Sequence, residues 1–444
     1  MNSKGLLSVT EARARILAGV SKERPAETVA LERAFGRTLA TGLAAKRTQP
    51  PKAMSAMDGY AVRSEDLSKL PVKLKQIGES TAGHGFPGSI GPKETVRIFT
   101  GAPVPVGCDT ILIQENAREE AGLVEPLEPV ARGRNIRAKG VDFTEGEVLL
   151  AAGTRLGPSN IGLAAAMNFA EVAVVRRPRV AILATGDELV WPGETIGTDQ
   201  IVATNSFAIA ALVEAAGGEP VDLGIAKDEL GALEEGVIAA RAASADLLVT
   251  LGGASVGDHD LVKPALAKQG MELYFWRIAM RPGKPVIHGR LGDMIILGLP
   301  GNPAAAVVAG ILFLAPLVRA LSGDPDAGRD QSEGAILGKA LRANDSRQDY
   351  MRSDLRPGET GLPVATPFDM QDSSLLRVLA QAQCLVIREP HAPAAAAGDP
   401  CRIIRLQFYN PCRAGRLIRR LPRCPWRFKW KRTDTSISSS SAAA

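Results

Sequence analysis

Aromatic residues are scarce in this 444-residue chain, only 4% of the total, so its core must be built on aliphatic and small side chains. No run approaches the ~18 uninterrupted apolar residues of a membrane-spanning helix. The opening MNSKGLLSVTEARARIL has neither an apolar h-region nor a small-residue cleavage site, so no secretory leader is expected there. Five cysteines (Cys108, Cys384, Cys401, Cys412 and Cys424) form no CxxC pair and no disulfide framework, which fits a reducing, cytoplasmic setting. The four histidines lack metal-ligand spacing, which argues against zinc. Neither a GxSxG elbow nor a P-loop is present. One GxGxxG match, Gly83 to Gly88, is interrupted by Pro87 and opens no helix, so it carries no dinucleotide reading.

What is present is ordinary for a globular chain: 45% apolar and 23% charged residues, with 45 glycines and 30 prolines marking many turns. The formal charge of +5 is unevenly distributed. Residues 407–444 hold nine Lys or Arg and one acid, leaving the rest of the chain at −3. A nucleic-acid partner for the whole protein is therefore not expected, nor a membrane. The tail has no apolar periodicity and reads as disordered. Its Trp426, Phe428 and Trp430 among basic residues leave a nucleic-acid or anionic-membrane role for the tail alone as a lesser alternative.

Along the chain, residues 1–45 read as helical, with Thr10 capping EARARIL and a second helix over ETVALERAFGRTLA. Residues 46–140 turn to short β runs broken by Gly and Pro. Residues 141–176 include a helix over SNIGLAAAMNFA, capped by Ser159. Between 177 and 326, continuous apolar strands (RVAILAT, PVDLGIA, DLLVTL, MIILGL) alternate with helical stretches. That texture predicts a mostly parallel sheet covered on both faces. Residues 327–406 return to short strands.

Chemistry gathers where three of these strands end. They run into Gly186-Asp187-Glu188, Gly252-Gly253 followed by Ala254-Ser255-Val256-Gly257-Asp258-His259-Asp260, and Pro300-Gly301-Asn302-Pro303. Ligands of open α/β sheets bind outside the carboxyl ends of strands. Glycine turns bring backbone close to an anion, and helix N-termini add partial positive charge. Acids converging on a phosphate point to a hard divalent ion, and the acids on this rim are Asp187, Glu188, Asp228, Asp258 and Asp260. Asp228 could equally cap a helix. Arg277, Arg281 and Lys284, in a stretch that Pro282 and Pro285 keep non-helical, suit an oxyanion or a solvated basic loop. The run Met54 to Ala61 around Asp58 reads, by itself, only as a turn.

SAMDGYA at 55–61, TGAPVP at 100–105, TGDEL at 185–189, GGASVGDHD at 252–260, RPGKP at 281–285 and LPGNP at 299–303 together resemble the MoeA family, which includes the gephyrin E domain. The likeness spans about 5–406 in order and spacing. It implies a multi-domain α/β protein: residues 1–45 with 141–176 as a helical dimerisation element, 46–140 as an inserted β domain, 177–326 as a MogA-like three-layer α/β domain with a mixed, mostly parallel sheet, and 327–406 as a small barrel-like β domain. It implies a homodimer with each active site between the α/β domain of one subunit and the inserted domain of the other. The implied reaction inserts molybdate into adenylylated molybdopterin with release of AMP, with Mg²⁺ as cofactor.

By the same resemblance, Asp58, Thr100, Asp142, Glu188, Asp228 and Asp260 fall at catalytic positions, with Asp228 and Asp260 at the metal. Arg137, Ser255, Arg277, Arg281, Lys284, Pro300, Pro303, Arg352 and Ser373 fall at binding positions, the last two in an oxyanion pocket. The chain departs from the family's frequent pattern in carrying arginine at 277 and 281 in place of lysine, and Ala304-Ala305-Ala306 where a serine often follows LPGNP. Molybdopterin adenylyltransferase activity on the same α/β unit, or a scaffold role, are the alternatives. Contact with a molybdopterin adenylyltransferase is a further expectation.

Overall fold

A computed structural model describes residues 6–21, 23–253, 261–359 and 361–406. Residues 6–405 belong to one compact unit. It contains three larger sheets.

The first sheet is made by β1 (Gly59–Val62), β2 (Leu74–Ser80), β3 (Glu94–Ile98), β4 (Thr110–Ile113), β5 (Ala117–Glu120) and β6 (Leu123–Pro126), in the order β4-β1-β3-β2-β6-β5. Its interior strand β1, next to the edge strand β4, is buried along its whole length. Only β2 and β3 run parallel.

Flanking this sheet in sequence, residues 26–45 and 143–175 share one apolar cluster that includes Leu39, Leu43, Phe143, Leu156, Met167 and Val174. Here the expected helix over 27–40 is replaced by strand Ala26–Ala30, paired antiparallel with Glu171–Val175. The β-branched pair Thr28 and Val29 suits that pairing, and a partner some 140 residues away overrides local helix propensity. Two caps also differ from expectation. Helix α1 (Val9–Ala18) is capped by Ser8, whose Oγ accepts from the Glu11 N–H at 3.1 Å. Helix α2 (Pro158–Ala166) starts with Pro158 at its first position, and Asn160 Oδ1 accepts from the Gly157 N–H at 2.9 Å. α1 does not join the shared cluster but packs on the last helix of the α/β region, and Leu7 O accepts from the Ala279 N–H at 2.7 Å.

The second sheet consists of β7 (Arg179–Thr185), β8 (Glu219–Ala226), β9 (Leu247–Leu251), β10 (Glu272–Phe275), β11 (Ile287–Leu291) and β12 (Met294–Leu299), ordered β8-β7-β9-β12-β11-β10. The first four in that order are parallel and the last two pairings antiparallel. β9 and β12 are buried at every residue, as expected for strands covered on both faces. Ala181, Leu183, Leu248 and Ile296 pack with α4 (Leu230–Ala242) and α5 (Val262–Lys268). The intervening residues Ile182, Val249 and Leu297 are also buried and face the opposite way, since side chains alternate along a strand. That second face is covered by α3 (Asn205–Ala215), which packs on β7 and β8, and by its neighbours α6 (Pro303–Ala309) and α7 (Ala315–Leu321). The helical run Pro303–Leu321 is long and apolar enough to cross a membrane by length and composition, but 72% of its apolar window is buried inside the protein.

The third sheet closes on itself. β13 (Ser332–Leu337), β14 (Gln348–Arg356), β15 (Val364–Pro367), β16 (Cys384–Arg388) and β17 (Pro400–Arg405) form the ring β14-β15-β13-β17-β16-β14. Closure leaves no ring edge exposed, and Leu337, Ala365, Cys384, Val386 and Ile403 fill its interior.

Asp324 ties the shared cluster's segment to α7. It accepts from Arg319 Nε at 2.8 Å, Arg155 Nη1 at 3.3 Å and the Asp326 N–H at 2.9 Å. Burial opposes ionisation of its carboxyl, but the bonds from Arg319 and Asp326 outweigh it and hold the group below the ordinary carboxylate range. Its stabilising contribution is therefore fully present above the unfolded value and disappears as pH falls through the folded one. Asp324→Ala strands two guanidinium groups and should destabilise the chain by about 2–4 kcal/mol, read as a lower urea midpoint at neutral pH. The gap between variant and wild type should close in acid.

Candidate functional site

β7, β9 and β12 are adjacent and parallel, with Ala184 opposite Leu251 and Leu251 opposite Leu299. Their three turns therefore leave the sheet side by side. Gly252 makes this possible. Its φ is +101°, and a Cβ there would lie 2.9 Å from the Thr185 carbonyl oxygen. A Cβ on Gly301 would lie 3.5 Å from Gly252 Cα, so the second and third turns touch backbone to backbone. At Gly186, φ +145°, a Cβ would fall 2.5 Å from a Glu188 carboxylate oxygen, so the Glu188 side chain folds over the bare glycine. Asp187 Oδ1 accepts from the Asp228 N–H at 3.2 Å and fixes the turn after β8 beside it.

The opposite side comes from residues 280–285 and the closed barrel. Met280 and Arg281 pair with Gln348 and Asp349 of β14, continuing the barrel sheet. Ser373 then joins the two sides. Its carbonyl accepts from the Ala304 N–H at 2.9 Å, and its Oγ accepts from Asn302 Nδ2 at 2.9 Å. Asn205 completes the seam by donating to the Gly301 carbonyl at 2.7 Å.

Between these parts lies a cleft of about 1040 Å³. Among the residues singled out from sequence, Glu188, Asp228, Arg281, Lys284, Pro300, Pro303 and Ser373 line it. Ser255 and Asp260 lie outside the described residues. Asn205, Ser206, Arg347, Gln371 and Ser374 also line it, and the sequence reading did not single them out. The Thr-Asn-Ser run opening α3 was the available signal for the first two, and Gln371 and Ser374 flank Ser373. Nothing in the local sequence marks Arg347.

The cations differ from expectation. Arg281 is not a free anion fork. Its Nε donates to Asp349 at 2.6 Å, its Nη2 to the other Asp349 oxygen, and its Nη1 to Asp345 at 3.2 Å. The bond to Asp349 holds its proton more tightly still. Arg347 Nη2 donates to the same Asp345 at 2.8 Å, and Arg347 holds that carboxyl down at about 2. Lys284, exposed in the cleft, has no ion-pair partner among the described residues. Arg277 is not part of the lining. Its guanidinium stacks 3.7 Å from the Trp276 ring centroid.

Arg352, expected in an oxyanion pocket, is instead buried to 1% exposure beneath the loop carrying Ser373. Its Nη2 donates to the Asp372 carbonyl at 2.9 Å, while Gln371 clasps its main chain at both N–H and C=O. Burial lowers its pKa.

Asp58 and Thr100, 42 residues apart, are brought together. Asp58 Oδ1 accepts from the Thr100 N–H at 2.7 Å and from its hydroxyl at 2.8 Å. These residues, with Arg137 on its two-residue bridge to Met54 and Asp142 on the neighbouring loop, do not line the cleft of their own chain.

Three family models match in order: the MoeA N-terminal region (domain I and II) over 7–168, the probable molybdopterin binding domain over 181–320, and the MoeA C-terminal region (domain IV) over 334–406. The chain is 34% identical to the molybdopterin molybdenumtransferase of Haemophilus influenzae over 399 residues, covering 90% of this chain and 98% of that protein. The chain belongs to the MoeA family. A second relative, the molybdopterin molybdenumtransferase of Nostoc sp., is 41% identical over 311 residues, 68% of this chain and 71% of that one. The crystal structure of a molybdopterin biosynthesis MoeA protein from Pyrococcus horikoshii superposes with a TM-score of 0.77 at 27% identity, covering 91% of this chain and all of that one. The multi-domain α/β architecture expected of a MoeA protein is thereby shown, including its closed C-terminal barrel.

The Asp58–Thr100 contact makes a measurable electrostatic prediction for this MoeA protein. The Thr100 N–H, then its hydroxyl, then the Arg97 charge favour the Asp58 carboxylate and hold its pKa below the usual value. In an NMR titration, Thr100→Val should move the Asp58 midpoint upward but leave it below an ordinary aspartate, because the N–H remains. An unchanged midpoint would remove the hydroxyl from the account.

Proposed function

We propose that the chain transfers molybdenum from molybdate to molybdopterin, taking the adenylylated form as substrate and releasing AMP. The observation that carries this reading is the cleft itself: glycine turns and acids on the sheet side, basic and hydroxyl groups on the barrel side, in a MoeA chain. A volume of about 1040 Å³ accommodates a pterin with an attached nucleotide.

The residues divide the work. Gly252, Gly253 and Gly301 admit the phosphate-bearing part of the substrate to close backbone contact. Lys284 offers a point charge to molybdate, a tetrahedral dianion, and the hydroxyl of Ser373, which also lines the cleft, offers a further donor. Arg352 and Gln371 act indirectly by holding the Ser373 loop.

Mg²⁺ is the cofactor of this reading. No group of three or more His, Cys, Asp or Glu is arranged to hold a metal among the described residues. Glu188 and Asp228 nevertheless supply two carboxylates at the cleft, and that suits Mg²⁺, which is ordinarily held by one or two carboxylates and substrate phosphates. When bound, it supplies charge neutralisation at the anhydride. Asp260 remains a candidate ligand. The proposal also places Asp58 and Thr100 at the active site of a second copy, in a homodimer, because they do not reach the cleft of their own chain. It further places the reaction in the cytoplasm, with a molybdopterin adenylyltransferase as the donor of substrate.

The direct test incubates the purified chain with molybdopterin-AMP, Mg²⁺ and molybdate, and measures AMP release with activation of an apo-molybdoenzyme. Asp228→Ala should slow AMP release on the order of a hundredfold. No AMP release by the wild type would overturn the reading. Sharing of the site between copies is tested by mixing Asp58→Asn with Asp228→Asn. Each should be strongly impaired alone, and random exchange should restore about a quarter of the wild-type sites, since a mixed dimer contains one site with both aspartates intact. No recovery would confine each site to one chain.

A further inference from the structure

Ser206 is 3% exposed, yet its Oγ has no hydrogen-bond partner, and the residue lines the cleft. A buried hydroxyl without a partner loses its hydration and gains nothing in return, so such groups call for an explanation. Ser206 is the second residue of α3, an 11-residue helix (Asn205–Ala215) whose N-cap residue Thr204 makes no side-chain capping bond. The first-turn N–H groups of α3 have no intrahelical acceptor, and the helix dipole adds positive potential there. Asn205 Nδ2 is locked onto the Gly301 carbonyl at 2.7 Å, which pins this helix end against the turn after β12.

We propose that the first turn of α3, with the Ser206 hydroxyl as donor, is a subsite for a phosphomonoester group. Ser206 is then a binding residue for substrate or product. The assignment rests on the reading of the cleft given above and adds to it a division of anions. The α3 side offers only neutral donors and lies with Glu188 and Asp228 in the lining contributed by the sheet. The basic lining residues Arg281, Lys284 and Arg347 come from the barrel side. Molybdate, a dianion with no proton to donate at neutral pH, favours the barrel side, where Lys284 has no ion-pair partner among the described residues. A phosphoryl group, free or esterified, tolerates nearby carboxylates when neutral N–H and O–H donors satisfy its oxygens.

The test uses the full chain and calorimetric titration with AMP, inorganic phosphate and molybdate. Ser206→Ala should weaken AMP and inorganic phosphate by the same factor, about five- to tenfold, and leave molybdate unchanged. Ser206→Thr, which keeps the hydroxyl, should retain phosphate binding. Ser206→Asp places a carboxylate where the phosphoryl oxygens sit; it should abolish the rise in melting temperature that phosphate gives the wild type while leaving the fold intact, since an acid suits a helix N-terminus. Unchanged AMP and phosphate affinity in Ser206→Ala would overturn the proposal. So would an equal loss for molybdate, or a loss for AMP alone. These readouts do not depend on turnover. Wild-type AMP release with an indifferent Ser206→Ala defeats the subsite only, whereas selective phosphate loss without any AMP release defeats the molybdenum reading only.

Discussion

Ser373 carries the contact on which the cleft depends. Its carbonyl takes the Ala304 N–H at the start of α6, and its hydroxyl takes Asn302 Nδ2 on the adjoining turn. Without these bonds the barrel loop has no fixed position over the strand ends, and the sheet would present an open rim. The loop is held from behind as well. A nearly fully buried Arg352 donates to Asp372, and Gln371 bridges Arg352 and Phe368. Burying a guanidinium without a directly paired carboxylate is costly, and among the described residues the Arg352 Nε finds no partner, so Arg352 braces the loop through its single side-chain bond to the Asp372 carbonyl. On the other side Asn205 extends the same seam to α3. One continuous run of hydrogen bonds thus connects a helix N-terminus, a glycine turn and a barrel loop from three distant parts of the chain.

The sheet that supports this seam was largely legible in the sequence. β7, β9 and β12 are continuous apolar runs ending in Gly-rich turns, and strands buried on both faces have that signature. Residues 26–40 were not legible, because their conformation depends on pairing with Glu171–Val175 and no local pattern records a partner so far away. The cleft was half legible. Glycines and acids at strand ends declare themselves by position. The state of a charge does not: Arg281 reads as an available cation until Asp345 and Asp349, more than 60 residues later, are brought beside it. Ser206 was hidden for the opposite reason, since a serine opening a helix is unremarkable until its hydroxyl is found buried.

The alanine run after LPGNP gains a physical reason from the same packing. Ala304 to Ala309 are all buried, because α6 lies against α3 and the sheet. Small side chains allow that approach. Hydroxyls at this end of the cleft come instead from Ser373 and Ser374 on the barrel and Ser206 on α3. The anion chemistry of the site is therefore distributed over neighbouring elements and is not concentrated on the helix that follows the third turn.

Asp345 has a consequence for the kinetics of capture. It is shared by Arg281 and Arg347, and Asp349 holds Arg281 from another side. Two of the three barrel-side cations are thus neutralised at close range. Their field at a distance is that of small dipoles, which decays faster than that of a charge and is further screened by salt over about 10 Å. Diffusional steering of an approaching oxyanion is weak for such a surface. The cleft must therefore distinguish its anions after they arrive, by donor geometry at contact, and encounter rates should respond little to ionic strength.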